Sequence, residues 1–416
     1  MIIILHPFVY GNCQNKSVKT LLKFYNFKDS IVARPYYSIE QALSVSGYHI
    51  DAVKVDQEEI GPYLYDAKIQ TIGPSVPADP YYVIQKKSKD IDVLIVNEAH
   101  NKSNHRIFIN NLLIKFQNLF NIYLPESFID QDCQVYQNKY PRLCDQYTFS
   151  NEPNYANIIR TAMKLNYLML PYEDMNDSSV TIEMRDTSVM VYSKELNRTF
   201  TFSKLDFPYS DTKRELIQAL NILKIHKKFP DRKIIVHCGY AHGSYKPGFM
   251  AAFLKKLQVK CLSIDQTYFN ENLISDNCLK EYKQNEQFKS PYLLINPKDS
   301  NLCAFSGELP VAADIYLMHP PTKFRHDRPT WLIKNKGEWF VGINKIFSTE
   351  GRDKLCLIYL TEEYKKLGFD AVPTDIIEQK PTDEFVYGLI KNFTDITIIQ
   401  INRKGKVVKQ EFRNEN

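Results

Sequence analysis

The chain has 416 residues, 44% of them hydrophobic and 24% charged, which is the composition of an ordinary globular protein able to bury an α/β core. Its 53 basic and 48 acidic side chains give a net charge of +5 that is spread along the sequence, whereas a nucleic-acid-binding surface needs clustered basic residues. No stretch approaches the roughly 20 apolar residues that a transmembrane helix requires.

The N-terminal part of the chain, residues 1–85, alternates helical and extended patterns and ends in the turn-rich, proline-dense residues 73–80. We predict that it precedes the core or packs on it. Residues 1–8 are apolar but lack a basic start, and residues 11–14 faintly resemble a lipoprotein cleavage site. Two interpretations stay open: a first strand, or the end of an export signal that starts upstream.

Strands and helices alternate over residues 86–335, which predicts an α/β domain with a mostly parallel central sheet flanked by helices. Short runs rich in Val, Ile, Leu and Tyr predict buried strands at residues 91–96, 122–124, 167–170 and 234–237. Helical spacing predicts helices at residues 107–120, 157–165, 186–196, 214–224 and 249–257. We expect residues 336–416 to form a smaller, irregular C-terminal α+β appendage, with paired strands at 395–401 and 406–408.

Each of the four apolar runs leads within a few residues to a carboxylate or a histidine. The first leads to Glu98 and His100, the second to Glu126, the third to Glu173 and the fourth to His242. In an open parallel sheet, ligands bind beyond the carboxyl ends of the strands. The pattern therefore predicts one site at this edge, with a small molecule as substrate.

Several familiar motifs are missing. The sequence has no G-x-S-x-G, no G-x-x-x-x-G-K-[ST], no G-x-G-x-x-G and no H-E-x-x-H, which argues against serine hydrolases, nucleotide-binding proteins and zincins. It also has no C-x-x-C pair. Cys133 and Cys144 flank a Tyr- and Gln-rich segment and form either a disulfide, in an oxidising compartment, or two free thiols.

The remaining candidates are carboxylates, histidines and one arginine. A carboxylate two residues before His100 can fix the imidazole tautomer and suits activation of a water molecule, and the same pair can ligate a metal. Alternatively, Glu98 caps a helix and His100 is a loop residue. Arg185 is predicted at a helix start, where it neutralises the carboxylates or stabilises an oxyanion. His105 is predicted to be solvated and His237 to be a core histidine.

Five of these motifs, taken in order over roughly residues 88–325, resemble the erythromycin esterase / ChaN / Tiki superfamily. They are Glu98-Ala99-His100, Glu126, Glu173 after A-x-x-L-x-Y (Ala162 to Tyr167), Arg185-Asp186 with Met190, and Gly239-x-x-His242. Residues 320–322 and 328–331 resemble a segment of the bacterial esterase-like members. The chain departs from the family at Asn97, where glycine is usual.

The resemblance implies an α/β hydrolase of an ester or lactone in which His100 is the general base, with no cofactor required. The residues implied to orient the water or the base, or to complete the pocket, are Glu98, Glu126, Glu173, Arg185 and His242. Two alternatives follow from other members: a Tiki-like metal-dependent protease with Glu98, His100 and His242 as ligands of a divalent metal, and a ChaN-like haem-binding protein. The expected location is the bacterial cytoplasm, or outside it as an exported lipoprotein.

Overall fold

The computed structural model describes residues 21–32, 38–60, 71, 73–128, 140–143, 148–173, 179–269, 290–305, 309, 311–333, 338–344, 353–383, 385–391 and 395–413. Cys133 and Cys144 lie outside these residues. The α-helices are, in chain order, α1 (Lys28–Val32), α2 (Ile39–Val45), α3 (His49–Ile60), α4 (Pro80–Lys87), α5 (Ser103–Phe116), α6 (Pro153–Lys164), α7 (Thr212–Lys228), α8 (Met250–Lys256) and α9 (Thr361–Leu367).

The strands begin with β1 (Val76–Ala78), β2 (Val93–Glu98), β3 (Ile122–Pro125), β4 (Leu168–Met169), β5 (Val180–Met184), β6 (Ser188–Ser193), β7 (Arg198–Ser203), β8 (Ile234–Gly239) and β9 (Cys261–Asp265). They continue with β10 (Leu293–Ile295), β11 (Ile315–Tyr316), β12 (Phe324–Arg325), β13 (Arg328–Pro329), β14 (Glu338–Asn344), β15 (Lys354–Leu360), β16 (Asp375–Gln379), β17 (Phe385–Lys391), β18 (Ile396–Asn402) and β19 (Val407–Arg413).

Two compact units divide the chain. One consists of residues 1–55, 140–157 and 323–416, and the other of residues 56–139 and 158–322. Apolar residues from both ends of the sequence pack in one cluster of the first unit, among them Tyr25, Val45, Leu357, Ile376 and Ile399. The units therefore change at residues 55, 139, 157 and 322, whereas the sequence-based boundaries were placed at 85 and 335, because this burial joins segments far apart in the chain.

The second unit contains a six-stranded, all-parallel sheet with the strand order β11-β9-β2-β8-β3-β4. This confirms the predicted α/β class. Every residue of β2 and of β8 is buried, which is why these strands appear in the sequence as continuous apolar runs without polar alternation.

The two faces of this sheet carry different side chains, since successive residues of a strand point to opposite sides. On one face, Ile95 and Val236 share a hydrophobic cluster with Leu216 and Leu220 of α7 and Phe253 of α8. The other face carries Glu98 of β2 and His237 of β8, which bond to each other, and Arg106 of α5 donates to Glu98.

The chain leaves the neighbouring strands β2 and β8 in opposite directions. From β2 it runs through α5 to β3, and from β8 it runs through α8 to β9 on the other side of β2. In open α/β sheets, ligands commonly bind at such a reversal, beyond the carboxyl ends of the two strands. Glu98 ends β2 and Gly239 ends β8, so the reversal lies at the edge where the sequence predicted a site.

The helix predicted at residues 186–196 is wrong, because β5, β6 and β7 form an antiparallel sheet there. In β6, Val189 and Val191 are fully buried whereas Tyr192 is 41% exposed. This alternation in burial has the period of a strand. It is hidden in the sequence because apolar residues also occupy the less buried positions of β6.

The C-terminal region is more regular than predicted. Four antiparallel strands form a sheet with the order β16-β15-β18-β19. The predicted pairing of residues 395–401 with 406–408 is confirmed as β18 and β19. Among the helices that the structure describes, none has both the length and the apolar character needed to cross a bilayer.

Candidate functional site

Five of the six side chains predicted for the site lie together at the carboxyl edge of the parallel sheet. They form two contact groups that meet at Gly239. One group is Glu98 with His100. The other links Glu126 to His242 and, through Arg214, to Glu173.

Glu98 is the most heavily bonded carboxylate of the site and is only 1% exposed. Arg106 of α5 donates from Nε to Oε2 at 3.0 Å and from Nη2 to Oε1 at 2.8 Å. His100 Nδ1 lies 3.1 Å from Oε1, and His237 Nε2 lies 2.9 Å from Oε2. Burial alone would raise the pKa of Glu98, but the Arg106 guanidinium and the two imidazoles hold it well below its usual value. Glu98 is therefore an anion that accepts hydrogen bonds from both histidines.

His237, which we predicted to be a core histidine, is buried and also belongs to this network. Its Nδ1 lies 2.7 Å from the hydroxyl of Tyr123, which donates to it when Nε2 carries the proton toward Glu98. Tyr172 donates to the backbone carbonyl of His237 at 3.2 Å. A chain of hydrogen bonds thus runs from Tyr123 through His237 and Glu98 to His100.

His100 is placed with one ring nitrogen toward Glu98 and the other toward Gly239 and Glu126. A Cβ atom built on Gly239 would lie 2.5 Å from His100 Nε2 and 3.0 Å from Glu126 Oε2. The two side chains therefore share the space that the missing side chain leaves. The backbone N–H of Gly239 donates to Glu126 Oε2 as well, so glycine is required here for close approach.

We expect Gly239→Ala to lower the thermal unfolding midpoint, because the added Cβ would lie 2.5 Å from His100 Nε2 and the imidazole would have to move. The measurement is thermal unfolding followed by circular dichroism. Gly342→Ala is the matched control, since its Cβ would make an ordinary contact at 3.4 Å with Phe385. An unchanged unfolding midpoint for Gly239→Ala would show that the Cβ does not disturb His100.

His242 lies between two carboxylates. Its Nδ1 is 2.6 Å from Glu215 Oε1, and its Nε2 is 3.4 Å from Glu126 Oε1. Burial would lower the pKa of His242, but these two carboxylates raise it to about 10. Burial would likewise raise the pKa of Glu126, but His242, His100 and Arg214 lower it to about 2. His242 is therefore a fixed cation at neutral pH and does not serve as a base.

Protein stability should depend on the charge of His242. Below the unfolded-state pKa near 6.5 the histidine is protonated in both states and the full stabilisation is present; as pH rises toward about 10, only the folded state keeps the proton, so the stabilisation is lost. We expect the urea midpoint to fall between pH 6.5 and 10, and to fall less in His242→Gln. Parallel pH curves for the two proteins would contradict this assignment.

Arg214, near the start of α7, is the arginine of the site and was missed by the sequence analysis. Its Nη2 donates to Glu173 Oε1 at 2.7 Å and to Glu126 Oε1 at 3.2 Å. Burial raises the pKa of Glu173, Arg214 opposes this, and the nearby Glu126 raises it further, so its pKa stays above the usual value. Gln218, one turn along α7, also donates to Glu173.

Arg185 does not join this cluster. It lies in the turn between β5 and β6, is 51% exposed and pairs with the exposed Glu183. The expectation rested on a helix start at residue 185, and the strands found there direct this arginine to another surface. A weak signal for Arg214 existed, because the helix predicted at residues 214–224 precedes a strand and so begins at the carboxyl edge of the sheet.

Asn97 holds the ends of neighbouring strands together. It occupies a position where the family that the sequence resembles usually has glycine. Its Nδ2 donates to the carbonyl of Tyr240 and to Asp265, both at 2.6 Å, and its Oδ1 accepts from the N–H of Gln266 at 2.8 Å. His105 was predicted to be solvated, but it is fully buried and accepts from the backbone N–H of Ala99 at 3.0 Å. Burial and the nearby His319 keep its pKa well below the usual value.

The three residues predicted as metal ligands bind other side chains in this structure. Both oxygens of Glu98 accept from Arg106, a buried cation. His242 lies between Glu215 and Glu126. Among the described residues, no group of three or more His, Cys, Asp or Glu side chains has an arrangement that would hold a metal.

Comparisons with known proteins add little. No family model matches the chain, and no curated protein matches it. A solved structure described as "The structure of the type III effector HopBA1" is 9% identical, with a TM-score of 0.29, over 46% of this chain and 85% of that one. A similarity this weak supports neither a shared fold nor a shared activity, so the functional argument depends on the side chains at the strand ends.

Proposed function

We propose that the protein is a hydrolase of the erythromycin esterase-like type that cleaves an ester or lactone with a water molecule activated by His100. One observation carries this proposal: Glu98 Oε1 holds the Nδ1 side of His100, and Nε2 lies toward Gly239 and Glu126. In a neutral imidazole whose Nδ1 donates to a carboxylate, Nε2 has the lone pair that a general base needs.

The proposed step uses three groups. His100 Nε2 removes a proton from water as the water oxygen attacks the ester carbonyl, and Glu98 stabilises the imidazolium that forms. When the tetrahedral intermediate collapses and the C–O bond to the alcohol breaks, the imidazolium returns this proton to the leaving alkoxide oxygen. Arg214 takes the oxyanion-stabilising role that the sequence had given to Arg185. Both hydrogen bonds that Arg214 makes with the described residues come from Nη2, and the side chain is 28% exposed, so other N–H groups of the guanidinium can serve as donors to an oxyanion.

Glu126 and Glu173 are proposed to orient Arg214 and the attacking water, while protonated His242 balances the charge of Glu126. We also propose that the parallel sheet is the central element of the fold and that the C-terminal strands form a smaller appendage. The Tiki-like metal-dependent protease stays a prediction, which hydrolysis that requires added divalent metal would support. Haem binding stays a prediction, which a haem titration followed by absorbance tests.

A panel of esters, lactones and peptides, assayed with chelator and separately with divalent metals, tests the proposed activity. We expect hydrolysis of at least one ester or lactone in chelator.

Arg214→Lys should lower kcat about 10²-fold because lysine cannot reproduce the guanidinium donors, while Arg185→Lys should keep wild-type kcat. Hydrolysis that requires added metal, or equal loss in the two variants, would refute these assignments.

A further inference from the structure

Tyr240 is a half-exposed aromatic residue placed directly against the proposed general base. It follows Gly239 at the end of β8, and its ring meets the His100 ring edge-on, with the centroids 5.4 Å apart and an interplanar angle of 86°. The residue is 47% exposed. Any group attached to a carbonyl that reaches His100 Nε2 therefore comes close to this ring.

The backbone of Tyr240 is held in an unfavourable conformation. Its φ of 26° lies in the left-handed region, which strains every residue with a side chain and would cost glycine little. Asn97 Nδ2 donates to the Tyr240 carbonyl at 2.6 Å, and the preceding N–H of Gly239 donates to Glu126. These bonds fix the direction in which the tyrosine side chain leaves the backbone.

The ring differs chemically from the charged groups of the site. Arg214 and His242 are cationic, and Glu126 and Glu98 are anionic. The half-exposed ring of Tyr240 offers a neutral, apolar surface next to His100. Aromatic groups bind such a ring in offset-stacked or edge-to-face geometry.

We propose that Tyr240 determines substrate specificity by contacting an aromatic group of the substrate next to the scissile ester bond. This inference rests on the proposed hydrolase function. The substrate class is then an uncharged ester with an aromatic substituent on its alcohol or acyl side. Pockets that bind small molecules commonly combine an aromatic wall with a few polar groups that fix the orientation.

Binding of the non-hydrolysable amides N-benzylacetamide and N-ethylacetamide, measured by calorimetry, tests this directly. We expect the benzyl compound to bind more tightly to the wild type, to bind about tenfold more weakly to Tyr240→Ala and Tyr240→Gly, and to bind Tyr240→Phe like the wild type. The glycine variant removes the strain together with the ring, so agreement between the two variants assigns the effect to the ring. Tyr192→Ala, which removes another exposed tyrosine, is the control.

Kinetics with benzyl acetate and ethyl acetate separate this inference from the proposed function. We expect Tyr240→Ala to raise KM for benzyl acetate about tenfold and to change kcat/KM for ethyl acetate less than about twofold. Equal binding of the two amides to the wild type, or an unchanged preference for the benzyl amide in Tyr240→Ala and Tyr240→Gly, would overturn the inference. Tyr240-dependent benzyl binding without turnover of any ester would overturn the hydrolase proposal and leave the aromatic site standing.

Discussion

His100→Ala should lose about 10²- to 10⁴-fold in kcat, the range that a positioned general base contributes. The imidazole lies between Glu98 and the space beside Gly239, and its ring is the group there that can take a proton from water. Without His100, Glu98 keeps its bonds to Arg106 and His237, so truncation leaves no buried charge unpaired and should leave the fold intact. The measurement is the steady-state rate on the ester found in the panel, with the circular dichroism spectrum as a check of folding.

The matched control is His226→Ala, which removes a partly exposed histidine near the end of α7 whose Nε2 lies 3.8 Å from Asp92. We expect it to keep wild-type kcat. A His100→Ala protein that folds and turns over at the wild-type rate would remove the general-base assignment.

Glu98→Gln should destabilise the protein by about 3–5 kcal/mol in addition to abolishing turnover, because it leaves a buried cation without its counter-charge. Arg106 is fully buried and donates to Glu98 through both Nε and Nη2. A neutral amide also cannot accept from Arg106, His100 and His237 as a carboxylate does. Loss of activity in this variant therefore has a structural component that His100→Ala lacks.

Chemical unfolding of the wild type and of Glu98→Gln measures this effect, followed by a probe in the second compact unit. Glu183→Gln is the control, since it breaks the exposed pair with Arg185 and should cost less than about 1 kcal/mol. An unchanged unfolding midpoint for Glu98→Gln would mean that Glu98 does not stabilise the buried charge of Arg106.

The parallel sheet and most of its edge residues could be predicted because buried parallel strands appear as continuous apolar runs and their carboxyl ends share one edge. Glu98, Glu126 and Glu173 were found in this way. Arg214 was missed because its partners Glu126 and Glu173 lie 88 and 41 residues earlier in the chain. Arg214 meets these two carboxylates because α7 begins at the carboxyl edge of the sheet, where both of them lie.

Two other errors have local causes. Arg185 was assigned to the site because residues 186–196 were predicted to be a helix, whereas the alternating burial of β6 makes that segment a strand. His105 was expected to be solvated, as polar residues in a first helical turn usually are, but α5 buries it against His319. Burial of this kind depends on which elements pack together, and local sequence patterns do not encode it.

Rescue of His100→Ala by free imidazole, assayed in chelator, tests the central claim most directly. Truncation leaves room for one imidazole beside Glu98, so we predict that added imidazole restores hydrolysis by at least about tenfold with saturation and leaves the wild-type rate unchanged. Imidazole that accelerates both proteins equally would be acting from solution, and that result, or the absence of any acceleration of the variant, would contradict activation of water by His100.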